Sequence, residues 1–153
     1  MTKTRALILG LAGAALVATS GFAQDANPAV TARKAQMQLY AFNLGTLGAM
    51  AKGDVEYNAE AALAAAGNLV TLASLSAAAM WPAGTDDMSI EGTRALPTLW
   101  ESMPDVMTKA SALSEAAGAM AAAAGTDLAS LQAAMGPLGG ACGDCHKAYR
   151  APE

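Results

Sequence analysis

The C-terminal stretch Leu128–Tyr149, LASLQAAMGPLGGACGDCHKAY, decides the fold. Within it Leu128, Leu131, Met135, Leu138, Cys142, Cys145 and Tyr149 recur at alternating steps of three and four. That period sets all seven on one stripe of an α-helix, and such a stripe must be buried against partners. Both cysteines therefore point toward the interior. Asp127, after Gly125-Thr126, breaks and recaps the chain, and Gly136-Pro137 predicts a kink midway.

Three more helices are expected upstream. Asn27-Pro28 reads as a helix start, with Val30, Arg33, Met37, Tyr40, Leu44, Leu47 and Ala51 as its stripe and Lys52-Gly53 as its stop. Asp54 is the expected cap of a second helix, with Leu63, Ala66, Leu69 or Val70 and Ala73 facing inward and an end near Met80, before Trp81-Pro82. Residues 82–96 lack periodicity and form a long connection. A third helix from about Pro97 carries Leu99, Met103, Val106, Ala110, Leu113, Ala117 and Met120, with Pro104 delaying its start or bending it. Four amphipathic helices bury their stripes most simply as an all-α, antiparallel four-helix bundle.

Composition agrees with one such domain. Of 153 residues 54% are hydrophobic, 14% charged and 5% aromatic, and abundant alanine with scarce valine and isoleucine disfavours a sheet. The net charge of −4 would repel a nucleic acid, so no nucleic-acid partner is expected. Lys3 and Arg5, the uncharged run Ala6–Ala18, and the small residues Gly21 and Ala23 have the layout of a cleaved signal peptide, residues 1–23. The alternative is an uncleaved anchor, but roughly 13 apolar residues fall short of the ~20 needed to span a bilayer. The mature domain, 24–153, then begins at Gln24, holds seven basic and thirteen acidic residues, and has no membrane span.

Cys142-Gly143-Asp144-Cys145-His146 is a CxxCH motif, the spacing of a c-type haem attachment site. On a helix, positions i, i+3 and i+4 share a face, so two thiols can bond a porphyrin's vinyl groups while the histidine reaches the iron. The motif consumes both cysteines and the only histidine of the chain. Zinc would need a second ligand cluster, and a thioredoxin-like dithiol would need a βαβ context. A structural disulfide is the other use of an exported CxxC.

With Cys142, Cys145, His146, Lys147, Tyr149 and Arg150 near the C-terminus and Arg33-x-x-x-Met37 in the first helix, the sequence resembles the class II c-type cytochromes, the cytochrome c-prime group. The resemblance covers essentially the whole mature chain. It implies one covalent haem c between the helices, His146 as axial iron ligand, a periplasmic location and a homodimer. It also implies that Met37 faces the distal side, where low-spin members use a methionine as second axial ligand and high-spin members leave iron five-coordinate.

Met37 is chemically eligible, since a thioether suits His-ligated haem iron. Arg33, one turn earlier, and Arg94 in the long connection are candidates for haem propionates. Trp81, Trp100 and Tyr149 are candidate pocket linings. The leading expectation is a low-spin His/Met electron carrier, not an enzyme, exchanging one electron with periplasmic or membrane-bound redox proteins. The alternative is a high-spin, five-coordinate protein binding nitric oxide or carbon monoxide. Peroxidase-like catalysis would want a distal acid–base group, and the one histidine is already assigned.

Overall fold

Pro28 starts the first helix because Asn27 accepts hydrogen bonds from the backbone N–H of Ala29 and Val30, while proline at the first turn gives up no bond. The computed structural model describes residues 27–152, so the signal peptide reading falls outside the described residues. Helix α1 (Pro28–Lys52) ends at Gly53, whose φ of +80° is left-handed and lets its N–H reach the last-turn carbonyls. The same closure takes the Asp54 N–H onto Ala49 at 2.9 Å.

Asp54 is thus spent on ending α1. The cap of α2 (Ala59–Ser74) is Asn58 instead, accepting from the Ala61 N–H at 2.8 Å. Helix α2 also stops six residues before the expected Met80. Ser74 bonds back to Thr71, and the Leu72 carbonyl is taken by Gln36 from α1. A 3₁₀ turn, Ala78–Met80, opens the crossover.

Helix α3 (Thr98–Glu101) is a single turn. Ser102 leaves helical geometry, and α4 (Met103–Ala123) starts there with Pro104 in its first turn, so the start is delayed rather than bent. Helix α5 (Leu128–Tyr149) runs unbroken through Pro137, with Asp127 accepting from the Ser130 N–H at 2.7 Å.

The four long helices close a ring in which α1 packs on α2, α2 on α4, α4 on α5, and α5 back on α1. The described residues thus form an all-α bundle of four long helices, as the stripe pattern predicts. The core is small and alanine-rich: Leu47, Met50, Ala62, Ala65, Ala66, Leu69, Ala117, Met120, Ala124, Leu131 and Leu138. It occupies the half of the bundle away from the crossover.

Three stripe positions depart from expectation. Leu63 is half exposed, Met103 and Ala110 lie outside the core, and the buried face of α1 is rotated to Arg33, Gln36, Asn43, Leu47 and Met50. The rotation brings polar residues inward, where they are satisfied: Asn68 donates to Asn43 Oδ1 at 2.9 Å, and Asn43 donates to the Leu39 carbonyl at 2.8 Å. Such paired amides set the register of α1 on α2.

Candidate haem-binding site

The last two turns of α5 carry Cys142, Cys145 and His146, all half-buried. Upstream, Gln132 donates to the Ala51 carbonyl of α1 at 2.8 Å, so that edge of α5 faces α1. His146, fourteen residues further, returns close to the same edge at 3.6 residues per turn. Tyr40 of α1 lies near Cys142. Burial and the neighbouring Cys142 push its phenol up to about 12, so at neutral pH it stays protonated.

Neither cysteine is in a disulfide. Burial pushes both thiols up, and for Cys145 the Lys109 ammonium partly opposes this. Burial, with the nearby charges of Arg150 and Arg94, holds the His146 imidazole below its usual value, keeping a ring nitrogen available as a donor to metal. Among the described residues no cluster of three or more His, Cys, Asp and Glu could hold a metal ion. The donor set is therefore two free thiols and one neutral imidazole on one helix face, which fits a porphyrin held by thioethers and one axial nitrogen.

The turn that bears these residues is fixed at several points. The Tyr149 carbonyl accepts from the Leu96 N–H at 3.0 Å, and the Ala151 N–H donates to the Arg94 carbonyl at 2.9 Å, around a lone antiparallel bridge between Ala95 and Arg150. Arg94 donates from Nε and Nη2 to the Ala151 carbonyl, at 2.9 and 2.5 Å. Tyr149, 7% exposed, donates its hydroxyl to Asp105 of α4 at 2.5 Å.

Arg33 is buried, 3% exposed, and clamps the crossover to α1. Its Nη1 donates to Thr85 Oγ1 at 2.6 Å and to the Met80 carbonyl at 3.4 Å; its Nη2 donates to the Thr85 carbonyl and to Thr93 Oγ1. The guanidinium lies 4.8 Å from the Trp81 ring and 5.9 Å from Trp100, and Trp100 donates to the Trp81 carbonyl at 3.0 Å. Burial lowers its pKa, Asp86 opposing. Met37, one turn on, is 37% exposed.

The structure thus gathers Cys142, Cys145, His146, Tyr149 and Arg94 around the end of α5, and Arg33 with Trp81 under the crossover. Thr85, Thr93 and Asp105 belong to the same end of the bundle and carry no sequence signal of their own.

A helical ring with two free thiols and a neutral imidazole at one end defines a c-type haem protein of the bundle class. The family model for Cytochrome C' matches residues 28–150. A curated relative, cytochrome c-554 of Cereibacter sphaeroides, is 48% identical over 138 residues, covering 88% of this chain and 90% of its own. A cytochrome c' of the same organism is 38% identical, covering 95% and 97%. A solved cytochrome c' from Rhodobacter Spheriodes superposes with a TM-score of 0.80 at 37% identity, over 82% of this chain and 97% of that one. The chain belongs to the cytochrome c' family, whose cofactor is covalent haem c.

Proposed function

We propose that this is a periplasmic haem c protein with His146 as the one protein ligand to iron, leaving the α1-facing position open to nitric oxide or carbon monoxide. Haem bound there supplies a one-electron ferric/ferrous couple. Cys142 and Cys145 would hold the ring through thioethers, and the neutral His146 would supply a nitrogen ligand to its iron. The family carries the open-position reading: the Cytochrome C' model matches residues 28–150, and a cytochrome c' of Cereibacter sphaeroides is 38% identical over nearly the whole chain. A point mutant of cytochrome c prime from Alcaligenes xylosoxidans, 31% identical, has been solved as a nitric oxide complex.

The second reading keeps Met37 as sixth ligand and makes the chain a low-spin carrier between redox proteins. It is favoured by the name of the 48%-identical relatives, cytochrome c-554 rather than cytochrome c'. The ferric optical spectrum at neutral pH separates the two: five-coordinate high-spin bands support the first, sharp low-spin bands the second.

Arg33 fits a propionate contact in either case. Among the described residues no carboxylate lies within ion-pair distance of its buried guanidinium, and a buried cation gains from a counter-charge. Arg33→Gln is expected to favour ferric iron, lowering the ferrous/ferric ratio at fixed ambient potential by on the order of fivefold in a spectroelectrochemical titration. No change would exclude the contact. Arg94, which donates to the Ala151 carbonyl, is the second candidate. Trp81 and Tyr149 are assigned as pocket walls.

Among the described residues no helix is long and apolar enough to cross a membrane. A homodimer through α1 and α2 is proposed on Leu39, 51% exposed, and Phe42, 71% exposed. Beside Leu39 is an open groove of about 240 Å³ lined also by Asn43, Asn68, Thr71 and Leu72. A solved relative, 30% identical with a TM-score of 0.75, is a cytochrome c' described by its ligand-controlled dimer dissociation. Phe42→Glu is expected to give a monomer by equilibrium sedimentation at concentrations where the parent is dimeric.

A further inference from the structure

On the side of α5 facing α4, an ion pair lies beside the attachment motif. Lys109 Nζ is 3.2 Å from Asp105 Oδ2, the same oxygen that accepts the Tyr149 hydroxyl at 2.5 Å. Asp105 and Lys109 are one turn apart on α4, and Cys145 and Tyr149 are one turn apart on α5, so the four form facing pairs across the α4–α5 seam. The positions are unequal. The Lys109 side chain is 25% exposed and the Asp105 side chain 51%, while Tyr149 is buried.

A surface ion pair alone does little for stability. This one differs because a buried phenol ties it to the helix turn that carries Cys145 and His146. The Tyr149 and Lys109 bonds hold the Asp105 carboxyl below the usual range, so it stays charged at neutral pH.

We propose that Asp105 is a positioning residue whose carboxylate, through Tyr149, fixes the last turn of α5 and, with Lys109, sets the electrostatic balance beside the Cys145 linkage, and so the redox poise of the iron. This rests on the reading that haem is carried at Cys142 and Cys145. A fixed negative charge near the ring would favour ferric iron, which is one charge more positive than ferrous; a fixed positive charge would do the reverse. The two partners therefore act in opposite directions, which a merely structural contact would not produce.

The test uses the haem-loaded protein, with the ferrous/ferric ratio read at fixed ambient potential and thermal unfolding read in parallel. Asp105→Asn, which keeps an acceptor for Tyr149, is expected to raise the ratio by about threefold, allowing for solvent screening at a half-exposed site. Lys109→Gln is expected to lower it by about the same factor. Tyr149→Phe, which keeps both charges, is expected to lower the unfolding temperature and to move the ratio less than either. An unchanged ratio in both charge variants, or a shift in the same direction in both, overturns the proposal even where unfolding is affected. Failure of the underlying reading is distinct: the parent itself would then show no Soret band. Should Asp105→Asn fail to fold, Lys109→Gln decides alone, and no fall in its ratio overturns the proposal.

Discussion

A Cys142→Ala/Cys145→Ala chain, exported from a host with haem-ligation machinery, is expected to have the mass of the bare polypeptide and no Soret band after denaturing purification, whereas the parent keeps the band. The thioether links need thiols at i and i+3 on one face of α5, and the described residues hold no other cysteine. Each single variant is expected to retain one link and to give an altered pyridine spectrum. His146→Ala with both cysteines intact is expected to keep the mass of the haem adduct but to lose the axial-nitrogen signature. That separation matters, because it tells the covalent tether from the metal ligand. A double variant that still carried covalent haem would overturn the whole assignment.

Met37→Ala is expected to leave the ferric protein high-spin and to speed carbon monoxide association on the order of tenfold, since the thioether side chain then no longer obstructs the α1-facing approach. Stopped-flow mixing of the ferrous protein with carbon monoxide measures the rate, and the ferric spectrum the spin state. If instead the parent is low-spin and Met37→Ala turns it high-spin, the methionine is a ligand and the electron-carrier reading takes over. Methionine 103 is a useful control: it is 37% exposed like Met37, but it lies on α4.

The fold was legible where local chemistry repeats. The alternating threes and fours of α5, the Asn27-Pro28 start and the Gly53 stop are all written in neighbouring residues, and the structure has each of them. The CxxCH motif was legible for the same reason. What was illegible depends on contacts between distant parts of the chain. Asp54 looked like a cap until the closure of α1 claimed its N–H, and Asn58 took over.

Arg33 shows the limit best. From sequence it reads as a cation on the inward stripe aimed at a haem propionate, yet its hydroxyl partners Thr85 and Thr93 stand 52 and 60 residues away and the tryptophans complete its enclosure. Arg33 keeps its place on the buried stripe of α1, while Met37, one turn on, is more exposed than a stripe of threes and fours implies. The low-spin reading, which the sequence favoured, gives way to the open-position reading on the family match rather than on this exposure. No single-residue signal could have announced Asp105, whose role depends on Tyr149, 44 positions on.

The seam between the crossover and the chain's final residues has a kinetic consequence. Arg94 and Ala151 are 57 positions apart, so the ties between them close a long loop, and long loops close late. During synthesis the crossover emerges well before the segment that will stitch it down. The turn bearing the attachment motif therefore gains these ties only once the crossover is in place.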